Sequence, residues 1–238
     1  GALLGKFGTA SKLTIGRTGG TGNITVGTAG TLTLPTDIEF RASNATLSFG
    51  NKLRGNVDLT ITNGGTTSFT DTVGNGGALA TITSTGGTTR FAADVDTSGA
   101  QSYGNVGLTA DAQLTGSTVA IGSVVDGGGN DLRLVAAGGA TLGTAVNNLA
   151  SLTSTAGPTT LNGNVTTSGA QSYGAVVLGA NDTLTGSTIT IAGPVTGANG
   201  LTLTASTGAS LAAVNGIASL AANGAGATTL NSNVTTTG

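Results

Sequence analysis

The amino-acid sequence predicts an all-β protein, a right-handed parallel β-helix (β-solenoid) in which three short strands form each coil and the coils stack on one another. Three observations predict this fold: an internal repeat, a period of two among the apolar residues, and a scarcity of helix-forming residues. The right-handed sense is the one that crossovers between parallel strands generally adopt.

The internal repeat is clearest in the octapeptide Thr-Ser-Gly-Ala-Gln-Ser-Tyr-Gly, which begins at Thr97 and again at Thr167, a spacing of about 70 residues. The similarity extends beyond the octapeptide, since residues 114–121 return in nearly the same form at 184–191. Self-similarity at a fixed period indicates a protein in which each unit packs on its neighbours along one axis. We therefore expect stacked units in place of separate globular domains.

The repeat also divides the chain. Residues 160–165 return at 229–234 with a shift of 69. The segment before residue 96 resembles the same unit but has diverged from it in sequence. We expect a single continuous solenoid over residues 1–238. Its parts are divergent coils (1–55), a degenerate repeat (56–95) and two clear repeats (96–165 and 166–234).

Apolar residues alternate with threonine in many short segments, among them Leu13-Thr-Ile15, Ile24-Thr-Val26 and Leu201-Thr-Leu203. A period of two places the apolar side chains on one face of an extended chain. Threonine and valine favour strands, and the Gly-Gly and Asn-Gly pairs between such segments are typical of turns. Helix is disfavoured because glycine interrupts nearly every window and long helix-forming side chains are scarce.

The spacing of the apolar segments predicts the size of a coil. Within one repeat they recur roughly every 7 to 10 residues. Three strands then give a coil of about 23 residues, and three such coils fill one repeat so that it closes in register. A β-sandwich or a string of immunoglobulin-like modules is the alternative, since both also have short strands at regular spacing. The copying of whole segments and the absence of tryptophan favour the solenoid.

Composition excludes several classes of protein. The chain has 43 glycines without a collagen period, only 3 prolines, and 8% charged residues with a net charge of −2. No basic cluster is present to neutralise phosphates, so we expect no nucleic-acid partner. No apolar run reaches the roughly 18 residues that a membrane-spanning helix needs, so we expect no transmembrane segment. The chain begins with glycine and has no methionine, and we interpret it as a processed product or a fragment.

Three segments carry a resemblance to a known group of proteins: Leu13–Arg17 with Thr21–Val26, Gly55–Thr62, and Thr97–Tyr103. They resemble the filamentous-haemagglutinin-like and autotransporter-type repetitive adhesins of Gram-negative bacteria, whose shafts are right-handed β-helices. The resemblance implies a structural shaft segment of a secreted or surface-exposed adhesin or extracellular filament, a scaffold for adhesion or for matrix and biofilm assembly. It implies an extracellular or outer-cell-surface location. Neither the secretion domain of that family nor the membrane barrel of autotransporters is visible, so the export route stays open.

The residues that carry chemistry favour a protein without catalysis. Histidine and cysteine are absent, and we expect no enzyme activity, no cofactor and no metal site. Asp71 has the coil spacing to Asp94 or Asp96 that a carboxylate pair would need, but solvated turn positions explain these acids better. The glycine-rich segment Asp126–Asp131 is interpreted as a turn, with a calcium loop as the alternative. A carbohydrate-binding or carbohydrate-cleaving β-helix is the second functional hypothesis.

Two sets of residues are candidates for surface contacts. Tyr103 and Tyr173, predicted to lie about 14 Å apart in one groove, could bind glycan or a neighbouring filament, or instead cover the edge of the core. Five Asn-X-Ser/Thr sequons are candidate glycosylation sites or turn caps: Asn23, Asn44, Asn164, Asn181 and Asn233. The expected partners are copies of the chain or adjoining repeats of a longer chain, end to end or side by side, and host or matrix glycans and proteins.

Overall fold

A computed structural model describes residues 11–27 and 30–238, and in these ranges the chain forms strands and turns without any helix. The prediction of an all-β solenoid is confirmed: parallel strands stack in about 11 turns. The strands are β1 (Lys12–Gly16), β2 (Ile24–Val26), β3 (Thr31–Thr33), β4 (Asp37–Ala42), β5 (Thr46–Phe49), β6 (Lys52–Arg54), β7 (Asp58–Phe69), β8 (Thr81–Phe91), β9 (Val95–Asp96), β10 (Gln101–Leu108), β11 (Ala112–Gly116), β12 (Val119–Ile121), β13 (Val124–Asp126), β14 (Leu132–Ala136), β15 (Ala140–Leu142), β16 (Ala145–Leu149), β17 (Leu152–Ser154), β18 (Thr159–Leu161), β19 (Asn164–Thr167), β20 (Gln171–Tyr173), β21 (Val176–Leu178), β22 (Asp182–Thr196), β23 (Gly200–Ile217), β24 (Ser219–Ala222), β25 (Ala227–Leu230) and β26 (Val234–Thr236).

Each turn of the chain contributes one segment to each of three parallel sheets, which we call A, B and C. Sheet A runs from β1 through β4 and continues to β26, sheet B runs from β2 through β5 to β24, and sheet C runs from β3 through β6 to β25. Long strands such as β22 bend at the corners and take part in all three sheets. Between the first and last described coils, each strand thus pairs with segments one turn before and one turn after it, and single bridges through Val73 connect β6 to β9. The hand of the winding stays a prediction.

Most coils are shorter than the length of about 23 residues that the apolar spacing predicts. Along sheet A the longest step from one coil to the next joins Leu13 to Ile38, and the shortest joins Thr159 to Val176. From residue 82 onward every step on this sheet falls short of the predicted length. Sharp corners explain the difference, since β13 begins almost directly after β12 ends at Ile121.

The repeat therefore does not close after three coils. From Gln101 on sheet A to Gln171 on sheet C the chain passes through eleven strand positions, which is three full turns and two thirds of a fourth. Tyr103 pairs with Ile121 on sheet A, and Tyr173 pairs with Ser154 on sheet C. The prediction that the two tyrosines share one groove is therefore wrong. Equivalent residues of successive repeats lie on different sheets.

The core is a set of apolar columns inside the three sheets. In sheet B the rings of Phe49, Phe69 and Phe91 stack nearly parallel, with centroids 4.7 and 5.7 Å apart. Phe40 and Tyr103 pack edge-on against the two ends of this stack. All five side chains are at most 2% exposed. Offset and edge-on ring contacts are favourable beyond the area that they bury, so this ladder stabilises the first half of the solenoid.

Some corners require glycine because consecutive coils approach closely there. A Cβ atom added at Gly87 would lie 1.8 Å from the carbonyl oxygen of Gly65 on the adjacent coil. Asn63 lies at the same corner, and its side chain accepts from the amide of Gly65 at 3.1 Å and donates to the carbonyl of Ala45 at 2.9 Å. This corner is therefore held by two features: the close backbone approach of Gly65 and Gly87, and the hydrogen bonds of the buried Asn63 side chain.

Candidate functional sites

The repeated octapeptide forms a buried hydrogen-bonded unit, which we call the clasp. In its first copy the Tyr103 hydroxyl donates to Oε1 of Gln101 at 2.9 Å. Nε2 of Gln101 donates to the carbonyl of Val95 at 3.1 Å and to that of Thr115 at 2.7 Å. Thr97 lies in the turn between Val95 and Gln101, and its hydroxyl closes this turn by donating to the carbonyl of Gly99 at 2.8 Å. The clasp thus joins two neighbouring coils from the inside.

The second copy has the same geometry on a different sheet. The Tyr173 hydroxyl donates to Gln171 at 2.9 Å, and Nε2 of Gln171 donates to the carbonyls of Val165 at 3.2 Å and Thr185 at 2.8 Å. Both glutamines are at most 1% exposed. A buried amide is tolerated because both of its polar ends are satisfied. The sequence identity of the two octapeptides therefore reflects an identical internal structure.

Burial excludes the surface contacts proposed for Tyr103 and Tyr173. Their side chains are 2% and 0% exposed, so neither ring is available to glycan or to a neighbouring filament. Burial also raises the pKa of both phenols, and the Asp182 carboxylate raises that of Tyr173 further. The other interpretation, a tyrosine that covers the core, is the one observed.

The aspartates lie mainly at corners, where they stabilise the backbone of the next coil. Oδ1 of Asp94 accepts from the amide of Gln113 at 2.8 Å, and Oδ1 of Asp111 accepts from the amide of Asp131 at 2.9 Å. Asp71 differs, since it accepts from the amide of the adjacent residue Thr72, within its own coil, at 2.8 Å. Over the described ranges, no three or more acidic side chains are grouped so that they could share a metal ion.

The glycine-rich segment at Asp126 is a turn that is held by its neighbours. Oδ1 of Asp126 accepts from the amide of Gly128 at 3.3 Å and from the side-chain amide of Asn148 on the next coil at 3.1 Å. Gly128 and Gly129 have φ angles of +57° and +84°, which glycine adopts without strain. The turn interpretation is consistent with this geometry.

The five sequon asparagines are all exposed. Three of them also cap the following coil, since their Oδ1 atoms accept a backbone N–H from a residue one turn further on. The pairs are Asn23 with Thr46 at 2.9 Å, Asn164 with Thr183 at 2.8 Å and Asn181 with Gly200 at 2.7 Å. The remaining two sequon residues are Asn44 and Asn233. Glycosylation at these five positions stays a prediction, and the capping role gives at least three of them a structural function.

Asp182 is the exception among the acids because its side chain points into the core. It precedes the inward-facing Leu184 by two residues on the same strand and is only 2% exposed. Neither carboxylate oxygen has a hydrogen-bond partner among the described residues. Burial raises the pKa of this carboxyl to about 6. The equivalent residue one repeat earlier is Ala112, which is also buried, so an acid occupies a position that elsewhere holds a methyl group.

One ion-pair cluster lies on the outside of sheet A near the start of the described chain. Glu39 is bracketed by Arg41 on its own strand and Lys12 on the neighbouring strand, with the closest N to O distances at 2.5 Å in both pairs. Hydrogen bonds from Arg41 and Lys12 lower the pKa of Glu39 to about 2. This cluster holds β1 against β4 and leaves its charges satisfied.

The side of sheet C carries an open groove that is polar. Gln113, Arg133 and Thr153 are in register on three successive coils. Their neighbours in the groove are Asp94, Asp111, Asp131 and Ser151. Asp131 accepts the hydroxyl hydrogen bond of Ser151 at 2.7 Å, so its Oδ1 atom already has a structural partner.

Comparison of the chain with protein-family models, with curated proteins and with solved structures found no match. Within residues 11–27 and 30–238, no helix is long and apolar enough to cross a membrane.

Sequence reasoning found the octapeptide but missed its structural role. The signal was a Gln two residues before each Tyr, which puts both side chains on one face of a strand and within reach of each other. It also missed that Asp182 faces inward, although the Asp-Thr-Leu alternation ending at Leu184 indicates this.

Proposed function

We propose that this chain is a structural shaft segment of a secreted or surface-exposed bacterial adhesin or extracellular filament. One observation supports this most strongly: the stack of coils continues from β1 to β26, with an apolar core shared by adjacent coils. Strand pairing is continuous along sheets A and B, and in sheet C single bridges through Val73 connect β6 to β9. At about 4.8 Å per coil, eleven coils extend roughly 50 Å. A body of this form separates what lies at its two ends.

The polar residues support the same function because they serve the fold. The buried glutamines, the corner aspartates and three sequon asparagines all bond to neighbouring strands or coils. Groups that already hold the backbone are poorly placed for proton transfer or for nucleophilic attack. We accordingly propose that the chain acts without catalysis, as a scaffold for adhesion or for the assembly of a matrix or biofilm.

Location and partners form part of this proposal. We place the chain outside the cell or on the outer cell surface, in contact with adjoining repeats, with copies of itself or with matrix glycans and proteins. Antibodies raised against the purified chain test the location on cells that produce it. Labelling of intact cells is the expected result, and labelling only after permeabilisation would contradict the proposal.

A carbohydrate-binding or carbohydrate-cleaving β-helix is the second candidate, and the groove on sheet C favours it. Stacked polar side chains such as Gln113, Arg133 and Thr153 could follow the repeating hydroxyls of a sugar chain. A glycan array together with a depolymerisation assay distinguishes the two functions. Binding that Arg133→Ala abolishes would favour this candidate, and no binding or cleavage across neutral and acidic polysaccharides would remove it.

A further inference from the structure

Six asparagines of the chain are each followed by a glycine. In such a pair the backbone nitrogen of glycine can attack the side-chain carbonyl carbon of asparagine, because glycine has no side chain to obstruct the approach. The reaction needs an asparagine side chain that can turn and a glycine amide that is free of other contacts. The structure distinguishes the six asparagines in both respects; they are Asn63, Asn75, Asn162, Asn199, Asn215 and Asn223.

Hydrogen bonds restrain three of these pairs. The Asn63 side chain is 3% exposed and donates to a carbonyl of the neighbouring coil at 2.9 Å. The amides of the glycines that follow Asn199 and Asn215 donate to side chains on neighbouring coils, at 2.7 and 2.9 Å. In each pair one of the two reacting groups is therefore held by another partner.

Close packing against the preceding coil restrains two more pairs. A Cβ atom added at Gly163 would lie 1.9 Å from the carbonyl oxygen of Thr144. At Gly224 it would lie 2.1 Å from the carbonyl oxygen of Ala205. The backbone at these two glycines cannot rotate toward the preceding asparagine side chain unless the coils separate.

The pair of Asn75 and Gly76 has neither restraint. Asn75 is exposed, and over residues 11–27 and 30–238 neither its side chain nor the amide of Gly76 makes a hydrogen bond. A Cβ atom added at Gly76 would meet nothing within 4 Å, and its φ angle is +76°. The pair lies at the tip of a turn in which the amide of Gly77 donates to the carbonyl of Gly74 at 3.0 Å.

This turn lies where strand pairing in sheet C is thinnest. Val73, two residues before Asn75, is joined to Leu53 on one side and to Val95 on the other by single bridges. The amide of Gly74 supplies a hydrogen bond of the first bridge, since it donates to the carbonyl of Leu53 at 2.7 Å. A change in backbone length at residue 75 therefore acts directly on the bridge between these coils.

We infer that Asn75 is a site of spontaneous covalent modification, at which the side-chain amide is lost and the backbone is partly rerouted. The Gly76 nitrogen loses its proton and forms a bond to Cγ of Asn75, while the bond from Cγ to Nδ2 breaks and ammonia leaves. Water then opens the five-membered ring at either carbonyl. One product is aspartate at position 75, and the other is isoaspartate, in which the backbone runs through Cγ and is one methylene longer.

The test incubates the folded full chain at mildly alkaline pH and follows each asparagine by peptide mapping, with electron-transfer fragmentation to separate aspartate from isoaspartate. Synthetic peptides with the same local sequences give the rate of each pair without the fold. We expect Asn75 to react in the chain nearly as fast as in its peptide. Asn63 is the matched control, and its reaction should be slowed at least about tenfold, since it requires local opening of a buried corner.

Hydrogen exchange in β6 and β9 tests the effect on the bridge through Val73. Exchange in the incubated chain should be faster than in the fresh chain. Asn75→Gln, whose longer side chain must close a larger ring, should prevent this change during the same incubation. Asn75→Asp carries the charge of the product without the added methylene, so its effect on exchange should be smaller than that of incubation.

Three results would overturn the inference: protection of Asn75 equal to that of Asn63, an earlier reaction at any of the other five asparagines, or the same rise in exchange in the incubated Asn75→Gln chain. The first two would show that the turn is as restrained as the rest of the solenoid. The third would show that incubation loosens sheet C by another route. The shaft function does not depend on any of these outcomes.

Discussion

Tyr103 lies on sheet A and Tyr173 lies on sheet C, although each ends the same seven-residue sequence and donates to its glutamine at 2.9 Å. The same clasp therefore fits at two different corners of the solenoid. The corners must be nearly equivalent in geometry, which allows a repeat of eleven strands to continue smoothly through a body of three sheets. Each repeat then presents its outer surface one sheet away from that of the previous repeat.

The clasp should contribute equally to stability at its two positions. Tyr103→Phe and Tyr173→Phe each remove one buried hydrogen bond, so each should lower the free energy of unfolding by about 1 kcal/mol. Gln101→Ala and Gln171→Ala leave carbonyls and the phenol unsatisfied and should cost about 3 kcal/mol each. Urea denaturation measures these changes, with Ser102→Ala as the control. A large cost at one position and none at the other would contradict the equivalence.

Asp182 should make the chain more stable in mild acid. Its pKa is raised by burial to about 6 in the folded state, from an ordinary value of 3.8. The folded chain therefore binds the proton more tightly, so this contribution is complete below pH 3.8 and is lost as the pH rises through 6. Asp182→Ala, which restores the residue type found at Ala112, should raise stability at pH 7 by about 2 kcal/mol.

The pH dependence that Asp182 causes is measured as the free energy of unfolding at intervals between pH 4 and pH 7.5. Asp182→Asn serves as the second variant because it keeps the shape of the side chain but cannot titrate. In both variants the decline in stability between pH 4 and pH 7 should become smaller. An unchanged pH profile in Asp182→Ala would show that the carboxylate is solvated.

The close contact between coils at Gly87 should make this position intolerant of a side chain. Gly87→Ala puts a methyl group against the carbonyl of Gly65, and relief of the clash must separate the two coils, at a cost of about 2 kcal/mol or more. Gly22→Ala is the matched control, since a Cβ atom there meets nothing within 4 Å. Thermal unfolding compares the two variants. Equal melting temperatures would contradict the close approach of the coils.

Asparagine should stabilise the chain where its side chain accepts an amide hydrogen bond from the following coil. Asn164→Ala removes the acceptor of the Thr183 amide and should destabilise the chain by about 1 kcal/mol. Asn44 is the matched control: it is also an exposed sequon asparagine, and within the described residues its side chain accepts no backbone amide, so Asn44→Ala should have almost no effect. Chemical denaturation distinguishes the variants. If the two substitutions cost the same, asparagine acts through its own turn and not through the next coil.

The fold class could be predicted because local and long-range signals agree. Alternating Leu-Thr-Leu segments define strands, and the repeat indicates stacking. The coil length could not be predicted from apolar spacing alone, since several strands face inward with polar residues. Gln101, Gln171 and the hydrogen-bonded pair of Ser154 with Thr159 are at most 3% exposed. Strands with such residues are missed when only aliphatic positions are counted, so the predicted coils are fewer and longer than those of the structure.

The role of the tyrosines could not be predicted for a related reason. A tyrosine flanked by serine and glycine has the composition of an exposed turn, and only the three-dimensional register shows that the phenol ends beside a buried glutamine. The corner aspartates were easier. Asp71 and Asp94 were interpreted from the sequence as turn residues, and both lie between strands and accept a backbone amide hydrogen bond.

Successive coils stack in parallel at a constant rise, and the proposed shaft function depends on this stacking. Outward positions Thr60, Thr83, Ser102, Ala120, Thr141, Thr160 and Val177 follow one another along sheet A. The chain has no cysteine, so spin labels can be attached at Thr60→Cys together with Thr141→Cys, Thr160→Cys or Val177→Cys. Pulsed dipolar spectroscopy should give mean distances that rise by about 4.8 Å per coil, to roughly 19, 24 and 29 Å. Distances that alternate or fail to rise along this series would contradict the solenoid and the shaft function proposed from it.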